Sequence, residues 1–147
     1  MFGKNPVRPP VKGDGAQLSI KKIFPTVQGE GPLAGRPAVF VRLIGCNLQC
    51  SFCDTEFENG EDWSKDEILA EVQRVADGRR LVVITGGEPF RQPISPLCQL
   101  LLDAGFAVQI ETNGTLYRAD LPDAVTIVCS PKNPTGKGYA PLRDDLL

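Results

Sequence analysis

The chain has 147 residues, 41% of them apolar, and 16 basic against 18 acidic side chains leave a formal charge of −2. That composition suits one globular core and excludes a basic footprint for nucleic acid or a membrane surface; no apolar run approaches the ~18 residues of a membrane span. The absence of histidine removes imidazole general bases, Ser/His and Cys/His dyads, and every zinc site that depends on imidazole.

Residues 1–17 carry Pro6, Pro9, Pro10, Gly13 and Gly15 among polar residues, a composition expected to leave a flexible tail. The fold is expected to start near Leu18, with strands over Leu18 to Phe24 and Ala38 to Ile44 and a Gly/Pro-rich loop between them. The second strand is nearly all apolar, as when both faces are covered. Ser64 with Glu67 predicts a capping box, followed by Ile68, Leu69, Val72, Val75 and Ala76 on one helical face up to Gly78. Leu81 to Thr85 reads as a strand, Ile94 to Ala104 as a leucine-rich helix closed by Gly105, Ala107 to Glu111 as a strand, and Ala124 to Cys129 as the last. The alternation predicts an α/β fold: a parallel sheet or open barrel wrapped by helices, with functional loops at the carboxyl ends of the strands. About five strands and two or three helices fit the length, too few to close an eight-unit barrel. Residues 18–132 form the expected core domain and 133–147 a short C-terminal tail.

Five cysteines, three of them within eight residues, suit a metal site in a reducing, cytoplasmic compartment better than a disulfide framework. Cys46, Cys50 and Cys53 follow directly from a predicted buried strand. Three thiolates on a tight loop can hold three irons of a cubane cluster and leave the fourth open to an external ligand. A structural zinc knuckle is the alternative; without histidine it would have to recruit Cys98 or Cys129, both assigned here to packing, Cys129 on a buried strand. Reduced structural thiols are a third possibility.

Other motifs sit at the predicted strand ends. In Gly86-Gly87-Glu88-Pro89 the glycines permit close backbone approach and the carboxylate can pair with an ammonium, although a plain strand-to-helix turn accounts for it equally well. Glu111-Thr112-Asn113-Gly114-Thr115 offers a carboxylate and an amide to a ribose or methionyl group, and Ser130-Pro131-Lys132 offers a cation.

The Cys-x3-Cys-x2-Cys spacing with Phe52 before the third cysteine resembles the signature of the radical S-adenosylmethionine superfamily. With Thr26-Val27-Gln28-Gly29-Glu30-Gly31 ahead of it and Asp54-Thr55 behind it, the set resembles the 7-carboxy-7-deazaguanine synthase family from Leu18 to Lys132. The resemblance implies a partial, open parallel β/α barrel. It implies a 4Fe-4S cluster on Cys46, Cys50 and Cys53, and S-adenosylmethionine held by Phe52, Cys53, Asp54, Gly87, Glu88, Glu111, Asn113, Ser130, Pro131 and Lys132. It further implies Mg2+ on Thr55 and a pterin substrate contacted by Val27, Gln28, Gly29, Glu30, Arg42 and Thr85. The implied reaction is radical ring contraction of 6-carboxy-5,6,7,8-tetrahydropterin with loss of ammonia, a carbon–nitrogen lyase step toward queuosine. No side chain is implied to be catalytic beyond the cofactor radical, and the implied partners are an electron donor such as flavodoxin or ferredoxin and a second copy in a homodimer. Members of that family usually continue further past the Ser-Pro-Lys motif, so a compact variant, a fragment or a partner-dependent half are all expected readings. An activase of a glycyl-radical enzyme would share the cluster loop, and a non-enzymatic zinc or iron–sulfur module stays open beside it.

Overall fold

The structure, a computed structural model, describes residues 3–146, so the first two residues of the expected N-terminal tail and the last of the C-terminal one lie outside it. Strands β1 (Gln17–Val27), β2 (Pro37–Leu43), β3 (Glu61–Ser64), β4 (Leu81–Gly86), β5 (Ala107–Thr112) and β6 (Thr126–Cys129) make one six-stranded sheet in the order β3-β1-β2-β4-β5-β6. Helix α1 (Lys65–Ala76) precedes β4 and α2 (Ser95–Asp103) precedes β5. β2, β4, β5 and β6 are parallel, as the alternation predicts.

The remaining two pairings differ from the expected parallel arrangement. β1 pairs antiparallel with both β2 and β3. The link over residues 28–36 is too short for a parallel crossover, so β1 and β2 close as a hairpin. β3 is a sixth strand with no sequence signal: it is four residues long, polar, and recruited by pairing of Gln17–Ile20 with Ser64–Glu61.

The capping box forms as predicted, with the Ser64 hydroxyl accepting from Glu67 N and the Glu67 carboxylate accepting from Ser64 N at 2.8 Å, worth about 1 kcal/mol. Ile68 and Val72 of α1 and Leu97 and Leu101 of α2 are fully buried against Val39, Val41, Val82 and Ile84 on one face of the sheet. Each such side chain contributes about 1.5–3 kcal/mol through area removed from water. The opposite face is apolar only at its base, where Ala38, Leu81 and Val83 pack with Leu33 and Phe40. Towards the carboxyl ends of the strands the same face turns polar, with Arg42, Thr85 and Glu111 in alternating positions above Phe40, Val83 and Gln109.

The segment before β1 is anchored rather than loose. Arg8 N donates to Cys46 O at 2.7 Å and Val11 N to Arg91 O at 2.7 Å. The segment after β6 folds back, with Ala140 N donating to Lys132 O and Arg143 N to Gly114 O, both at 2.8 Å. β6 ends the sheet and pairs with β5 alone among the described residues.

Candidate functional site

Four strand ends converge on one cavity of about 500 Å³. Its wall contains every residue singled out above as a candidate ligand except Glu88 and Pro131. The loop after β2 carries Cys46 and Cys50, each 8% exposed, and the half-buried Cys53. Leu48 N donates to Cys46 Sγ at 3.4 Å and Asn113 Nδ2 lies 3.8 Å from it. Burial pushes the Cys46 thiol up to about 11 and raises that of Cys50. Metal binding would reverse this by favouring the thiolates.

The donor set fits an iron–sulfur cluster. Three thiols from one loop share a cavity, with two amide donors already directed at the Cys46 sulfur. Among the described residues no three His, Cys, Asp or Glu side chains close on a single ion. Closed tetrahedral zinc, with sulfurs about 2.3 Å from one metal, asks for a tighter and fuller set than these three thiols.

Gly86 and Gly87 serve the loop backbone. An added Cβ would lie 2.2 Å from Leu43 O at Gly86 and 2.0 Å from Gly45 O at Gly87, and Glu88 N donates to Gly45 O at 3.0 Å. The two glycines therefore lock the end of β4 against the start of the cysteine loop. Glu88, expected to pair with an ammonium, is held here by groups of the chain itself. It is fully buried, accepting from Thr112 Oγ1 and Asn113 N at 2.8 Å and from Phe90 N at 3.0 Å. Its carboxyl is pushed up by burial against those hydrogen bonds. It fixes the Thr112-Asn113 segment from behind. Asn113 in turn donates to Asn47 Oδ1 at 3.0 Å, tying the end of β5 to the cysteine loop.

On the other side of the cavity Glu111 accepts from Gln28 Nε2 at 2.9 Å and Thr85 Oγ1 at 2.8 Å. Gln28, 1% exposed, also accepts from Glu30 N at 3.0 Å and thereby shapes the Gly29-Glu30 turn. Arg42 stacks its guanidinium 5.3 Å from the Phe24 ring, and its buried Nε has no hydrogen-bond partner. A buried N–H without an acceptor costs about 1–3 kcal/mol, so the position is suited to an acceptor on a ligand. Lys132 Nζ donates to Ser130 Oγ at 2.7 Å, and Thr55 Oγ1 to Asp54 Oδ1 at 3.1 Å. Phe52 is 56% exposed at the rim.

A profile of the radical SAM superfamily matches residues 41–127. The chain belongs to the radical SAM superfamily. Within it, the 7-carboxy-7-deazaguanine synthase of Rickettsia prowazekii (strain Madrid E) is 56% identical, covering 100% of this chain and 64% of the relative. That of Rhodospirillum rubrum is 54% identical over 92% of this chain and 59% of its own. The crystal structure of QueE from Escherichia coli superposes with a TM-score of 0.78 at 35% identity, covering 88% of this chain and 66% of that one. This radical SAM chain therefore spans roughly three fifths of the length of these curated relatives.

Three placements in the radical SAM core were not foreseen, those of Cys129, Asn5 and Asn47. Cys129 is exposed, because it is the last residue of a short edge strand and sits beside Gly114 instead of in the interior; the expectation of a packed Cys129 is corrected accordingly. Cys98 is fully buried on α2, its thiol pushed up to about 12 by burial, as a packing cysteine should be. Asn5 reaches the cysteine loop from the N-terminal segment, and Asn47 within that loop donates to Thr115 Oγ1. Asn47 carried a hint, an amide inside the cysteine motif; Asn5 lay in a Pro/Gly-rich stretch with no periodic signal.

Proposed function

We propose that Cys46, Cys50 and Cys53 hold a 4Fe-4S cluster and that the chain acts as a 7-carboxy-7-deazaguanine synthase on 6-carboxy-5,6,7,8-tetrahydropterin. The observation that carries the reading is the convergence, in one cavity, of three thiols from the β2 loop with the polar ends of β4, β5 and β6. Close relatives bearing that name support it. When bound, cluster and S-adenosylmethionine supply a 5'-deoxyadenosyl radical for hydrogen removal from the pterin. The chain's part is positioning. Gly87 and Asn113 line the side of the cavity next to Cys46 and receive the methionyl and ribose groups, with Ser130 and Lys132 at the neighbouring strand end. Glu88 acts behind them by holding Asn113 in place. The orphaned Arg42 Nε receives the pterin carboxylate, Gln28 and Thr85 contact the pterin beside it, and Glu111, which both of them hold, receives the S-adenosylmethionine ribose.

Mg2+ on Thr55 completes the proposal. Thr55 lines the cavity, and its hydroxyl donates to Asp54 while accepting from no described residue. Hydroxyl oxygen suits this hard cation when water and substrate oxygens fill the octahedron. Thr55→Ala should weaken Mg2+ dependence and lower turnover by about tenfold or more while iron content stays at the wild-type level. Wild-type turnover with no response to Mg2+ would remove the ligand role.

The partly exposed cysteine loop accords with reduction by flavodoxin or ferredoxin. Free thiols at all five cysteines accord with a reducing cytoplasm, and the single-sided β6 edge accords with a homodimer. The assay that tests the function follows deazapurine formation from the carboxypterin under anaerobic, reducing conditions by mass spectrometry. Product dependent on S-adenosylmethionine is expected; abundant 5'-deoxyadenosine that never responds to the pterin would overturn the substrate assignment.

A further inference from the structure

We propose that residues 3–11 form a strap belonging to the cluster site, in which the Asn5 amide donates to the Cys53 sulfur and raises the potential at which the cluster accepts its electron. The proposal rests on the cluster reading above.

The strap runs along the cysteine loop and is fastened at both ends. Gly3 N donates to Cys53 O at 3.1 Å, Val7 bridges in parallel to Cys46, and Arg8 N donates to Cys46 O at 2.7 Å. Beyond Arg8 it is gripped from beneath: Arg91, 7% exposed, donates from Nε to Arg8 O at 3.2 Å, and Arg118 donates to Val11 O at 3.2 Å. Across the top, Gln49 Nε2 donates to Asn5 O at 2.9 Å. Gly3, Val7 and Arg8 hold backbone against backbone and the Gln49, Arg91 and Arg118 side chains grip backbone carbonyls, so the register of Asn5 over the loop does not depend on its own side chain.

Within that frame Asn5 lines the cavity and has two amide hydrogens with two acceptors. Nδ2 lies 2.8 Å from Thr55 O and 3.7 Å from Cys53 Sγ. The carbonyl contact fixes the amide plane and leaves the second N–H directed at sulfur. In the free thiol, Cys53 Sγ itself donates to Thr55 O at 3.5 Å. A metal-bound thiolate has lost that proton, so the sulfur becomes purely an acceptor and the Asn5 N–H gains strength as a partner. Cys46 has a comparable set in Leu48 N and Asn113 Nδ2. Hydrogen bonds to cluster sulfurs favour the reduced, more negatively charged state and are among the factors that set iron–sulfur potentials.

The test is a redox titration of anaerobically reconstituted protein, followed by electron paramagnetic resonance of the reduced cluster, with iron counted per chain. Asn5→Ala should move the midpoint to more negative potential. At a fixed potential near the wild-type midpoint the reduced-to-oxidised ratio should fall about fivefold, which is about 40 mV at 59 mV per tenfold for a one-electron couple. Val7→Ala alters the exposed face of the same strap without touching a sulfur and should keep the wild-type midpoint. If Asn5→Ala retains less than its full iron, Asn5→Leu, which keeps the volume without a donor, is read in its place with the same expected shift. An unchanged midpoint in a fully loaded Asn5 variant, or an equal shift in Val7→Ala, overturns the proposal alone. Wild-type protein that takes up no iron overturns the cluster reading and the proposal with it.

Discussion

Cys46→Ala, Cys50→Ala and Cys53→Ala are each expected to reduce the iron of reconstituted protein from about four per chain to below about one, with loss of the brown chromophore. The three thiols come from one loop and face one cavity, and no other described cysteine lies on its wall. Removing one would leave two protein ligands for the proposed cluster, one iron of which would already be open. Cys98→Ala and Cys129→Ala are expected to keep full iron. Cys98 is buried on α2 on the far side of the sheet, so its loss should cost only about 1–2 kcal/mol of packing. Cys129 is exposed beside Gly114. Full loading of the Cys50 variant, or iron lost from the Cys129 variant per folded chain, would break the assignment.

Gly86→Ala and Gly87→Ala should each cost several kcal/mol, a large share of the ~5–15 kcal/mol margin of a domain. At Gly86 a side chain meets Leu43 O at 2.2 Å in a left-handed backbone with φ +130°, and at Gly87 it meets Gly45 O at 2.0 Å. In both cases the obstacle is backbone of the neighbouring parallel strand end and cannot rotate aside. The melting temperature of metal-free protein, followed by circular dichroism, should fall by more than about 10 °C, or the chain should fail to fold. Gly29→Ala provides the contrast, since an added Cβ there meets nothing within 4 Å. It should melt within about 2 °C of wild type, a surface change of ~0.5 kcal/mol or less. A Gly87 variant with wild-type melting would show that the β4 end and the cysteine loop are not locked together.

The parallel half of the fold was legible because its signals are repetitive. Ile68, Val72 and Ala76 mark a helix between two short apolar strands, and the same pattern recurs through Leu97 and Leu101. The four motifs could be placed at strand ends because each follows an apolar run directly. β3 was invisible: Glu61-Asp62-Trp63-Ser64 has neither length nor alternation, and its pairing with β1 is decided by tertiary context. The hydrogen bonds of Glu88 were hidden for a related reason. A carboxylate after two glycines reads as a ligand, and local sequence does not encode that the backbone also aims it at Thr112 and Asn113. Asn5 was hidden by composition, since a Pro-rich segment without an apolar face gives no pattern even when backbone hydrogen bonds to Cys46 and Cys53 hold it in place.

The central claim is that three cysteines hold a cluster with one iron left open to S-adenosylmethionine. It is tested most directly by the electron paramagnetic resonance spectrum of the reduced, reconstituted protein with and without that molecule. The account predicts about four irons per chain and a reduced-cluster signal whose g values shift on addition, because the open iron gains a ligand. One zinc per chain with no iron signal, or an iron signal that S-adenosylmethionine leaves unmoved at saturating concentration, would contradict it.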